Sequence, residues 1–60
     1  MEWIKITDRL PKKEDYYLIW DGEYLDYARY DVERNQWHDE EITIYEDVTH
    51  WMPLPEPPKD

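Results

Sequence analysis

Sixty residues with sixteen acids against seven bases, a formal charge of −9, make one small acidic domain, and the absence of cysteine removes any disulfide or thiolate-metal framework. That charge argues against direct contact with nucleic acid, anionic membrane or free nucleotide, each of which needs a basic footprint. No apolar run approaches the roughly 20 residues that span a bilayer, and the N-terminus lacks the basic-then-apolar layout of a secretion signal, so a cytoplasmic protein is expected.

Four Trp and six Tyr, with no Phe, replace the usual aliphatic core. Each buries a large area and keeps a polar tip for water, which suits a thin fold. Residues 1–20 balance four acids with four bases. Residues 21–60 hold twelve acids against Arg29, Arg34 and Lys59, so all of the net charge lies there.

In chain order, residues 3–6 read as a short strand with Ile4 and Ile6 on one face and Trp3 and Lys5 on the other. The stretch from Thr7 to Pro11 breaks it, with Leu10 held extended by the following proline and tucked inward. Residues 16–20 and 24–31 are the strongest strand signals. The intervening Asp21-Gly22 marks a two-residue type I′ hairpin, which pairs Ile19 with Tyr24, Leu18 with Leu25 and Tyr16 with Tyr27. One face of that hairpin carries Tyr16, Leu18, Trp20, Leu25 and Tyr27. The other carries Tyr17, Ile19, Tyr24, Ala28 and Tyr30. Both are apolar enough to want cover, unlike a sheet with one wet side.

Residues 33–36 form a polar turn and Trp37 starts a further strand. Residues 39–45 fit either a strand or a short helical turn, and residues 48–51 form the last strand. From residue 52 to 60 the prolines Pro53, Pro55, Pro57 and Pro58 stiffen the chain into an extended tail. The expected fold is therefore mainly β: one domain over 1–60, an antiparallel sheet of four to five strands around the Asp21-Gly22 hairpin, and a C-terminal tail packed as a strap over Trp and Tyr.

Trp3-Ile4, Leu10-Pro11, the apolar hairpin, the isolated Trp37 and the terminal Thr49-His50-Trp51-Met52-Pro53-Leu54-Pro55 together resemble a family of small bacteriophage and prophage proteins, the domain of unknown function 551. The likeness runs over nearly the whole chain, and its signature residues are Trp3, Leu10, Pro11, Trp37, His50, Trp51, Pro53 and Pro55. The resemblance implies a setting inside an infected or lysogenic bacterial host. It supplies no activity and no catalytic residues.

His50 shares a strand face with Val48 and Met52. It reads either as a base or metal ligand, or as a histidine locked by hydrogen bonds. His38 followed by Asp39, Glu40 and Glu41 offers donors for a hard or borderline cation, but neighbours along an extended chain point to opposite sides, and a solvated charge run is the simpler reading. With no Ser, no Cys and one Gly, the chain has no phosphate-cradling loop and no conventional nucleophile beyond Thr7, Thr43 and Thr49. A non-enzymatic protein without a cofactor is expected. Surplus aromatics and the acidic middle nominate an interaction surface of Tyr17, Tyr24, Asp26, Tyr30, Asp31, Asp39, Glu40 and Glu41, facing a host or phage protein. A sharper form makes it a mimic of the DNA phosphate ladder. The alternatives are a small-ligand or metal binder built on His50 or His38, and a homodimer closed through the spare sheet face.

Overall fold

A computed structural model describes residues 2–41 and 43–55 of the chain. Six strands, β1 (Ile4–Lys5), β2 (Tyr16–Trp20), β3 (Leu25–Asp31), β4 (Gln36–His38), β5 (Ile44–Tyr45) and β6 (His50–Pro53), form one open antiparallel sheet in the order β1-β6-β2-β3-β4-β5. The mainly β reading holds, with six strands where four to five were expected, the outermost two, β1 and β5, being only two residues each. Brevity suits edge strands, because a short edge offers little template for unwanted pairing.

The β2–β3 hairpin is central, but its turn sits one residue later than expected. Positive φ occurs at Gly22 (96°) and not at Asp21, whereas a type I′ turn on Asp21-Gly22 needs it at both. The central pair is instead Gly22-Glu23, with glycine first, the arrangement of a type II′ turn. Asp21 N–H donates to the Tyr24 carbonyl at 3.3 Å, and the Asp21 carboxylate accepts the Glu23 and Tyr24 N–H groups at 2.8 and 2.6 Å. Trp20 consequently faces Leu25 and Leu18 faces Tyr27, a register two residues from the expected one. An even shift leaves every side chain on its face.

The buried face gathers Tyr17, Ile19, Ala28, Tyr30, Trp37 and Trp51, with Val48 beside them. Trp37 lies 4.6 Å from the Tyr30 ring and 6.1 Å from Tyr17, and Tyr17 stands edge-on to Trp51 at 5.1 Å. Such pairs add about 0.5–1.5 kcal/mol each beyond their buried area. Their hydroxyls stay satisfied: Tyr17 donates to the Lys13 carbonyl at 2.8 Å, and Tyr30 donates to Asn35, whose positive φ (55°) shapes the β3–β4 turn. Leu10 packs against this core and Pro11 is buried with it.

The expectation of a C-terminal strap is corrected at its start. Met52 and Pro53 belong to β6, which lies within the sheet between β1 and β2 and does not cross it. Pro53 costs no ladder bond, since alternation aims its nitrogen toward β1, whose pairing stops at Ile4 opposite Trp51. Leu54 and Pro55 are exposed, and the rest of the expected tail, residues 56–60, lies outside the described residues. After β4 the described residues turn at Glu40–Glu41 and form β5 at Ile44–Tyr45: the Asp39 carboxylate accepts the N–H groups of Glu41 and Thr43 at 2.9 and 2.8 Å.

Candidate interaction surface

Alternation puts Tyr16, Leu18 and Trp20 of β2, Leu25, Tyr27 and Arg29 of β3, and His50 and Met52 of β6 on the face opposite the core. Met52 is buried there, whereas Leu25 and Tyr27 are 61% and 54% exposed and Trp3, just ahead of β1, is 40% exposed. Trp3, Trp20, Leu25 and His50 line one shallow apolar depression of about 480 Å³. At the other end, Tyr16 packs 6.1 Å from Tyr27 and under the Arg29 guanidinium at 5.7 Å, and Arg29 bonds Glu14 at 2.8 Å. That carboxylate, then the Tyr16 hydroxyl, hold the guanidinium pKa above its ordinary value.

A second depression, of about 340 Å³, opens beside β3 and collects four carboxylates, Asp26, Asp39, Glu40 and Glu41, around Tyr27 and Tyr45. Tyr45 donates to Asp26 at 3.2 Å. Partial burial, and next the Asp26 charge, raise the Tyr45 phenol above its ordinary pKa. Tyr16 and Tyr27 belong both to this acidic rim and to the apolar face, so aromatic and acidic surface are continuous.

The surface nominated from sequence is thus brought together in part. Asp26, Asp39, Glu40 and Glu41 meet. Tyr24 stands apart at the hairpin tip, 66% exposed, and Asp31 is taken up by the β3–β4 turn, where it accepts the Arg34 N–H at 3.2 Å. Tyr17 and Tyr30 are corrections: both are core residues, because Trp37 and Trp51 close over their face and leave the Tyr16 face outward. Burial, with a smaller contribution from neighbouring Asp15 and Asp31 respectively, raises both phenols. Trp3 and Trp20 are corrected in the opposite sense, from core to surface and half-buried positions. The useful sequence signal was Ala28, small on the Tyr17 face and buried in the same cluster as Trp37 and Trp51.

The two histidines stand apart and each bonds locally. The Thr49 hydroxyl lies 2.8 Å from His50 Nδ1 and 3.2 Å from the Trp20 carbonyl. His38 places Nδ1 3.1 Å from the Asp39 carbonyl. The strands carrying them are separated by β2 and β3, a distance of about 14 Å at the usual strand spacing. Among the described residues no three His, Asp or Glu side chains converge as ligands. No helix among them is long and apolar enough to cross a membrane.

No solved structure matches the chain. An uncharacterized 7.8 kDa protein from the ral-gp17 intergenic region of Salmonella phage P22 is 36% identical over 67 residues, with all of both chains covered. The family model described as Protein of unknown function (DUF551) matches residues 2–59. With nearly every residue inside that match, the chain belongs to the DUF551 family and is a phage-associated protein of unknown function.

Proposed function

We propose that the protein is a non-enzymatic accessory factor, acting in the cytoplasm of an infected or lysogenic bacterium, that binds another protein through the Trp3–Trp20–Leu25–Tyr27 face and its acidic rim. The observation that carries this reading is the exposure of Leu25 and Tyr27 side by side on β3. Large apolar side chains grouped on a sheet face, bordered by charge, are the usual make-up of a docking patch. A partner with an apolar centre and basic groups at its margin complements it, and the charge of −9 speeds that encounter at low salt.

DNA mimicry is the sharper form of the same reading. Its support is the acid-rich stretch after residue 20, which lines the rim by β3 and a second depression formed by Asp21, Glu23, Glu46 and Asp47. The apolar centre of the face has no counterpart in a phosphate ladder, so general protein docking fits better.

The test is capture of partners from phage-infected lysate by wild-type protein and by a Leu25→Lys/Tyr27→Lys double variant. Both positions are more than half exposed, so the fold tolerates the change. Capture of a defined protein that the double variant loses is expected; an identical set of captured proteins overturns the reading. Competition by duplex DNA for that partner would select mimicry. A light-scattering mass at twice 7.6 kDa, lost in the double variant, would assign the face to a second copy.

A further inference from the structure

We propose that the partner docks as an extended basic segment that adds a strand to the open edge of β3 at Leu25 and Tyr27. This rests on the reading of the surface as protein-binding and specifies how the partner is held.

β3 is seven residues long but unequally covered. On one side β2 pairs with it from Arg29 down to Leu25. On the other, β4 pairs only with Arg29, Tyr30 and Asp31, and the chain then turns away at Asp39. Two bonds fix which residues face which neighbour: Tyr30 N–H reaches the Asp15 carbonyl at 3.0 Å, and the Tyr24 carbonyl accepts from Asp21 at 3.3 Å. Even-numbered residues of β3 therefore bond toward β2. Leu25 and Tyr27 turn their N–H and C=O groups toward the side that β4 leaves uncovered.

Among the described residues, only a side chain fills part of that edge. The Asp26 carboxylate accepts the Tyr27 N–H at 2.8 Å through one oxygen and the Tyr45 hydroxyl at 3.2 Å through the other. A carboxylate on an edge is a common guard against stray pairing, and it is displaced by a strand that brings its own carbonyl for Tyr27 and its own cation for Asp26. The space beside the Tyr27 part of this edge is the depression of about 340 Å³, and Leu25 borders the apolar depression next to it; a new strand takes up about 4.8 Å of width.

The walls determine the occupant. Asp26, Asp39, Glu40 and Glu41 line the space, and no described basic side chain joins them. A second copy of a chain with charge −9 is a poor guest there, and a Lys- or Arg-bearing segment is a good one. Backbone pairing would supply affinity, while alternate side chains reach Leu25 and Tyr27 on the apolar face, as in other strand-addition complexes.

The probe is a short synthetic peptide alternating Lys and Ile, added to the isotopically labelled full chain, together with the same peptide N-methylated along its backbone. Hydrogen exchange at the Leu25 amide should slow about tenfold or more at saturation, with little change at Ala28, whose amide already faces β2. The methylated peptide should produce no slowing. If the methylated peptide binds equally well, or the peptide perturbs Trp3, Trp20 and Tyr27 side chains with Leu25 exchange unchanged, strand addition is wrong while docking on the face survives. Absence of any perturbation at β3 with millimolar peptide in low salt also overturns it. Failure of the docking reading itself shows separately, as lysate partners indifferent to the Leu25→Lys/Tyr27→Lys change.

Discussion

The indole Nε1 of Trp51 donates to the carbonyl of Arg9 at 2.9 Å, across 42 residues of sequence. This bond fastens the segment that carries Leu10 and Pro11 against the core, so Trp51 acts as both filler and clasp. Trp51→Phe retains an aromatic ring but leaves the partly buried Arg9 carbonyl without that donor, at a cost of about 1–3 kcal/mol. Urea unfolding should show a lower midpoint with an unchanged slope; an unaltered midpoint would mean the clasp contributes nothing.

Gly22→Ala should destabilise by about 1 kcal/mol. A Cβ at this site meets no atom within 4 Å, so the whole cost comes from holding alanine at φ 96°. Gly22→Asn should cost less, because asparagine tolerates positive φ better. Equal midpoints for Gly22→Ala and wild type would remove this account of the turn.

The Asp21 carboxyl is held below its ordinary pKa, first by the Tyr24 N–H and then by that of Glu23. A carboxyl depressed in the folded state stabilises above its unfolded pKa, near 3.9, and loses that stabilisation as pH falls through the lower folded value. Asp21→Asn keeps an oxygen for the turn but not the charge. Its fall in thermal midpoint between pH 7 and pH 3 should therefore be smaller than that of wild type; matching falls would argue against the linkage.

At the alkaline end the sign reverses. Tyr17, Tyr30 and Tyr45 have raised phenol pKa values, with burial the leading cause in each. Their contribution is complete below the unfolded value near 10 and disappears as pH rises through the higher folded values. Ultraviolet titration should show these three ionising late and together with loss of structure. Tyr17→Phe should reduce that late amplitude, and a spectrum in which all tyrosines titrate at once in native protein would contradict it.

Much of the strand content was readable because a period of two is a strong signal, although the strand after the polar turn opens at Gln36, one residue before Trp37. The division of hairpin residues between two faces was readable for the same reason. Which face lies inward was not, because it depends on where Trp37 and Trp51 pack, and both come from strands distant in sequence. The turn was misplaced by one residue since Asp-Gly and Gly-Glu both supply a glycine, and only the Asp21 hydrogen bonds choose between them. The acids of the rim were individually evident. Their meeting depends on Asp39 folding the chain back after β4, a contact no periodicity encodes.

β6 lies between β1 and β2, although it is made last. During synthesis the first strand has no pairing partner until the chain has emerged as far as Trp51, the residue opposite Ile4. The sheet therefore cannot close progressively from its N-terminus, and one of the four buried aromatics, Trp51, comes only with β6. Such dependence on distant pairing slows folding relative to local topologies of the same size. A chain that stops before Trp51 would leave β1 without its described partner, one side of β2 without β6, and Arg9 without its indole donor.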